Sequence, residues 1–228
     1  MGYESRGFIF DMDGTLVDNM HVHADAWRQL LEENGLEMDT HKFLVATAGR
    51  TNREILPTVF GELSDDRIDE LAHRKESLYR EAFLPVRKPV DGLVEFLTEA
   101  KELGIKMAVA TASAIPNMEF ILDGLDLRKY FDAVTTAADV KTGKPDPAMF
   151  LVSAEKLGVE PANCIVFEDA FGGFEAAHRA GMKSIGITTV NSAEDILKCE
   201  AVVEAHKDFT DLSAYEMVER YLPFSSQN

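Results

Sequence analysis

Cysteine is scarce: the 228 residues hold only Cys164 and Cys199. Two cysteines without metal-ligand spacing give neither a disulfide scaffold nor a thiolate metal centre, and no bridge is expected in a reducing compartment. Cys164, in the apolar run CIVF, reads as core filler. Long apolar runs are also missing. None approaches the ~20 residues of a membrane-spanning helix, so no membrane partner is expected. Basic residues are in deficit, with 23 Lys plus Arg against 40 Asp plus Glu and a net charge of −17. That balance argues against non-specific nucleic-acid binding, which needs a basic surface. It leaves an anionic small molecule open, because cations local to a cleft matter more than the total. The opening MGYESRGFIF carries no signal h-region, and Arg6 stands where a myristoylation pattern needs Ser or Thr. A cytoplasmic protein, monomeric or weakly oligomeric, is expected. Neither a Walker A loop nor a G-x-G-x-x-G turn occurs: TGKPD lacks the earlier glycine, and FGGFEAAHRAG lacks the spacing.

Apolar residues are plentiful, at 46%, enough for a substantial core. Short runs at 7–10, 106–111, 133–136, 164–169, 184–188 and 201–204 read as strands. Helical patterns at 90–104, 147–158 and 173–181 lie among them, ending at or beside Gly104, Gly158 and Gly181. Strand–helix alternation with non-alternating apolar strands predicts an α/β fold, a Rossmann-like open parallel sheet covered on both faces. Between Asp18 and about Leu84 the rhythm breaks into helical patterns only, such as HADAWRQLLEENG and DRIDELAHRKESLYREAF. The expected organisation is a core of 1–17 and 86–228, with a small inserted helical cap at 18–85. LPVRKPVDG (84–92) reads as the return hinge, and the closing SSQN as frayed.

In open α/β sheets, ligands sit beyond the carboxyl ends of the strands. Asp11 and Asp13 follow the first strand in FIFDMDGTLVD, Thr111 ends the second, and Glu168 and Asp169 follow a later one. Lys144 lies in the loop TGKPDP. Several carboxylates around one point repel unless a cation is supplied, and a hard ion such as Mg2+ suits them. Lys144, the Thr111 hydroxyl and nearby backbone N–H groups such as that of Ala112 would clamp a phosphoryl group. One carboxylate can then serve as nucleophile and a second as acid and base.

These residues resemble the haloacid dehalogenase superfamily. DMDGT (11–15) matches its first motif, Thr111 in VATAS its second, Lys144 in GKPDP its third, and Glu168–Asp169 in VFEDA its fourth. The resemblance covers essentially the whole chain. It implies Asp11 as nucleophile, Asp13 as general acid/base, and Mg2+ held by Asp11, the Asp13 backbone carbonyl and Asp169, with Glu168 a further candidate. The helical insert resembles the cap of the subgroup containing β-phosphoglucomutase and many sugar-phosphate phosphatases. On it, His23, Trp27, the loop residues Gly49, Arg50 and Thr51, and Lys75 match positions facing the substrate. The bland readings are that Trp27 packs, that Lys75 is solvated and that Gly172 and Gly173 only permit tight packing.

The resemblance leaves the phosphoryl acceptor open. Water makes the protein a phosphatase of a small phosphorylated metabolite; a second sugar hydroxyl makes it a mutase. Thr15 in DGT is the commoner phosphatase form, and the cap loop AGRTNRE departs from the mutase after its glycine. Ala48 lowers the inorganic-pyrophosphatase reading, and the intact Asp11, Asp13, Lys144 and Asp169 set argues against a non-catalytic binding domain.

Overall fold

Strands that are apolar at every position need cover on both faces, and here they have it. The computed structural model describes residues 3–222, apart from the side chains at 40, 41, 44 and 45. The expected fraying of SSQN lies outside the described residues. Among them, strands β1 (Gly7–Phe10), β2 (Lys106–Ala110), β3 (Ala133–Thr135), β4 (Cys164–Glu168), β5 (Lys183–Ile187) and β6 (Val202–His206) form one sheet. Every pairing is parallel. Each strand lies within two residues of an expected run.

The helices are α1 (Met20–Glu33), α2 (Thr40–Thr47), α3 (Asn52–Phe60), α4 (Asp65–Phe83), α5 (Leu93–Glu102), α6 (Ile115–Leu122), α7 (Ala148–Leu157), α8 (Phe171–Arg179), α9 (Ala193–Ile196) and α10 (Ala214–Tyr221). The sequence patterns did not mark α2, α6 or α10. Each has eight residues, too few turns to build a clear apolar stripe, and α6 has a proline in its first turn. No helix among the described residues is long and apolar enough to cross a membrane.

Successive side chains of a strand point to opposite faces. Phe8, Phe10, Met107, Val109, Ile165 and Phe167 join one core, with α5 and α10. Ile9, Ala108, Ala110, Cys164 and Val166 join the other, with α7 and α8. Phe10 stacks on Phe167 at 4.6 Å and Phe8 on Phe96 at 5.8 Å, with Phe209 tilted against Phe96 at 5.4 Å. Cys164 is buried and Cys199 half-buried, and both are free thiols.

The strand order is β3-β2-β1-β4-β5-β6. The chain therefore winds one way from β1 to β3 and the other way from β4 to β6. That reversal between β1 and β4 opens the crevice in which such sheets bind ligands. Helices α1 to α4 all enter the chain between β1 and β2, and α1 and α3 pack on α4. After a short 3-10 turn at Leu84–Val86, the returning Val90 N–H donates to Leu16 O at 2.9 Å. The outgoing and returning strands of the insert thus lie side by side, above the end of β1.

Truncation of Phe96 empties the middle of this aromatic layer away from the crevice. Phe96→Ala is expected to destabilise the fold by about 3–5 kcal/mol, measured as a lowered urea midpoint with an unchanged slope.

Candidate active site

Asp11 is the first residue past β1, and its N–H donates to Phe167 O of β4, which fixes it at the crevice. Glu168 ends β4 and Asp169 follows it. Lys144 reaches the same point from the loop before α7, its ammonium wholly buried, donating to Asp11 Oδ1 at 2.5 Å and to Glu168 Oε1 at 2.6 Å. Glu168 Oε2 accepts the N–H groups of Asp169 and Ala170 at 2.7 and 2.8 Å. Both oxygens of Glu168 are therefore spent on organising the site. One oxygen of Asp11 and one of Asp169 accept no hydrogen bond from the described residues.

Asp11, Glu168 and Asp169 offer oxygens within 4.8 Å of one another, with a single ammonium between them. Burial pushes the Asp11 carboxyl up to about 8, against the pull of Lys144 and with Glu168 and Asp13 adding repulsion. Burial, Glu168 and then Asp11 push Asp169 well above the usual carboxylate range. Burial works against the Lys144 charge, but Asp11 and Glu168 outweigh it and keep it protonated. This set is short of positive charge by about the amount a divalent ion supplies, and an all-oxygen donor set suits a hard one. The residues present fit a divalent metal.

Asp13 faces the other way. Its Oδ1 accepts from Asn19 Nδ2 at 2.6 Å and lies 3.3 Å from His23 Nε2, while Oδ2 accepts from Ser113 Oγ at 2.7 Å. Burial alone would raise this carboxyl, but His23, Ser113 and Asn19 hold it down at about 2. Its carboxylate is outside the three-carboxylate cluster.

His23 is buried on α1 and stacks on Tyr79 of α4 at 3.9 Å. Lys75 Nζ lies 2.7 Å from His23 Nδ1 and donates to Glu76 Oε1 at 2.9 Å. An ammonium can only donate, so Nδ1 is the acceptor and Nε2 carries the hydrogen given to Asp13. Lys75 is buried, with Trp27 5.4 Å from its charge, and is not on a solvated face. Trp27 meets Phe43 edge-on at 5.1 Å.

Lining the same cavity of about 90 Å3 are Asp11, Asp13, His23, Trp27, Gly49, Arg50, Lys75, Thr111, Ala112, Glu168 and Asp169. Thr111 Oγ1 accepts the Ser113 N–H, which leaves its own hydrogen to point into the cavity. Gly49 O accepts the Lys144 N–H at 3.0 Å, tying the α2–α3 loop to the lysine. Arg50 donates to Glu54 O while lining the cavity. Thr51 does not line it. Its hydroxyl and N–H pair with Glu54 in a capping box that starts α3, and Glu54 also accepts the Gly143 N–H.

Residues the sequence patterns passed over also build the site. Asn19 and Ser113 hold Asp13; Thr15 Oγ1 donates to Asp169 Oδ1 at 3.3 Å; Asn191 Nδ2 donates to Asp169 O. Only Ser113 and Thr15 carried a signal, by standing inside the runs VATAS and DMDGT. Gly14, at φ +93°, lies where a Cβ would sit 2.3 Å from Asp169 Oδ2, so this turn of DMDGT needs glycine twice over.

A family model of haloacid dehalogenase-like hydrolases matches residues 6–181. The chain is 38% identical over 183 residues to the fructose-1-phosphate phosphatase YqaB of Escherichia coli, covering 79% of this chain and 95% of that one. It is 30% identical over 225 residues to the β-phosphoglucomutase of Bacillus subtilis, covering 95% and 96%. The solved structure of a β-phosphoglucomutase from Clostridium difficile superposes with a TM-score of 0.83 at 30% identity, covering 95% of this chain and 96% of that one.

Gly173 in the first turn of α8 lets the Glu168 carboxylate lie against the helix, where a Cβ would come within 1.9 Å of Oε1. Glu168 is pinned by its hydrogen bonds and cannot yield. Gly173→Ala is expected to lower stability by about 1–3 kcal/mol, read from urea unfolding.

Proposed function

The chain belongs to the haloacid dehalogenase-like hydrolases, and from that premise we propose that it is a Mg2+-dependent phosphatase of a small phosphorylated metabolite, a sugar phosphate in the first instance. Residues 1–17 and 86–228 form the catalytic core and 18–85 the cap. The observation that carries this reading is the pairing of two differently held aspartates on one cavity. Asp11 lies on a buried ammonium, and Asp13 on a separate set of donors from the insert and from Ser113.

Asp11, the Asp13 backbone carbonyl and Asp169 would hold Mg2+, which supplies the positive charge that lets a carboxylate approach an anionic phosphoryl group. Asp11 attacks phosphorus, forming the Asp11–phosphoryl bond as the bond to the leaving oxygen breaks. Asp13 gives that oxygen its proton, then takes one from the water that hydrolyses the aspartyl phosphate. Asp13 is ionised while the cavity lacks substrate. An arriving phosphoryl dianion disfavours its charged form, so its proton enters with the substrate. Lys144, the Thr111 hydroxyl and the Ala112 backbone bind the phosphoryl oxygens. His23, Trp27, Gly49, Arg50 and Lys75 enclose the leaving group from the cap, Thr51 shapes the cap loop, and Glu168 positions Lys144. Water as acceptor accords with Thr15, whose hydroxyl is engaged with Asp169, and with the phosphatase among the relatives.

Metal binding has its own readout. With Mg2+ near a hundredfold over its Kd, ~2.7 kcal/mol of linkage should raise the thermal midpoint by about 5–10 °C. Asp169→Asn should raise the midpoint of the metal-free protein by removing one repelling charge, and should lose most of the Mg2+ shift. An equal shift in both proteins counts against this site.

The catalytic test is phosphate release from a panel of sugar phosphates and pyrophosphate, with glucose 6-phosphate assayed in the β-glucose 1-phosphate reaction. Asp11→Asn is expected to lose at least roughly 10^3-fold in rate. Glucose 6-phosphate formed without free phosphate would replace the phosphatase by a mutase.

A further inference from the structure

The reaction cavity, at about 90 Å3, falls below the ~300–1,000 Å3 usual for a site that encloses a ligand. Beside it runs a groove of about 670 Å3 between the insert and the core. The two meet at Asn52, Glu76 and Ala112, which line both. These three residues are the boundary that a leaving group larger than the small cavity would meet on its way to the groove.

The groove has two unlike walls. The core side is Ala114, Ile115, Pro116, Ala137, Ala138 and Val140. Ile115 on this wall is 47% exposed. The cap side is polar. At the seam, Glu76 is buried and accepts from Asn52 at 2.6 Å, Lys75 at 2.9 Å and Asn117 at 2.5 Å.

A second phosphoryl group finds little to hold it here. Arg53 is neutralised by Asp65 and Asp69 at 2.7 and 2.6 Å, and Arg80 gives its guanidinium to Asn117 Oδ1 at 2.6 Å. The lining cations Arg53, Arg80 and Lys141 are matched in number by Glu54, Asp69 and Glu76. What suits the groove is uncharged, with hydroxyls for one wall and a flat apolar face for the other.

We infer that the groove is a subsite for the distal part of the leaving group, and that the preferred substrate is a phosphorylated sugar carrying a second, flat, largely apolar ring. The proposal rests on the phosphatase reading for its chemistry, but the groove can be tested by binding alone.

The probes are the phenyl and methyl glycosides of glucose 6-phosphate and of ribose 5-phosphate, which differ within each pair only in the ring added. Wild-type enzyme with Mg2+ is assayed for phosphate release, and Asp11→Asn is titrated calorimetrically. At least one phenyl glycoside should exceed its methyl partner about tenfold in kcat/KM and in affinity, a difference of about 1.4 kcal/mol. Ile115→Asp puts a charge on the apolar wall at the first turn of α6, where an acid is compatible with the helix, and should bring that ratio to about one. Phosphate release or binding without phenyl preference overturns the subsite, and so does failure of all four to bind. Phenyl-selective binding to Asp11→Asn, without phosphate release by the wild type, leaves the subsite standing and removes the phosphatase.

Discussion

A single buried ammonium holds the core of this site together. Lys144 has no exposure to solvent and lies between Asp11 and Glu168. Removing a charge from water costs several kcal/mol, and losing one partner of a buried pair costs about 3–5 kcal/mol. The neighbouring structure is arranged around that demand. β1 and β4 bring the two carboxylates adjacent through their pairing, Gly173 leaves Glu168 room, and Gly49 O takes the lysine's own N–H. Even so, one lysine does not balance three carboxylates, and that residual negative charge is what fits the site for a divalent cation.

The two aspartates of DMDGT sit two residues apart in environments that push their carboxyls in opposite directions. Asp11 is driven upward by burial among like charges, and Asp13 is held down by donors. One pocket thus holds two carboxylates of different character, one short of donors and one well supplied with them. Several of Asp13's partners come from the helical insert. His23 links it to Lys75, Lys75 to Glu76, and Glu76 to Asn117 on the core helix α6. Asp13 is thereby connected by hydrogen bonds to the insert and to the core alike.

Fructose-1-phosphate hydrolysis and β-phosphoglucomutation are both named among this chain's relatives. The residues that handle phosphorus do not distinguish them. What distinguishes them is whatever the leaving group meets once the bond is broken, and in this chain a small cavity and a neighbouring groove with one apolar wall share Asn52, Glu76 and Ala112.

Much of this was legible in the chain. The strands showed as short apolar runs because the central ones are buried on both faces, and the chemistry-bearing residues showed because they stand where those runs end. Short helices such as α2, α6 and α10 did not, since eight residues carry too little periodicity. The roles of Asn19, Glu76 and Asn191 were equally hidden, because a hydrogen bond to a partner outside the local run leaves no pattern in the sequence. The sequence by itself determined the sheet, its inserted helices and the set of acidic, basic and hydroxyl groups at the strand ends. Only the tertiary structure decided that Glu168 spends both oxygens on positioning and that Lys75 is buried against His23. Lys144 lies 24 residues from Glu168 and Lys75 lies 52 from His23, separations that chain packing closes and local composition does not.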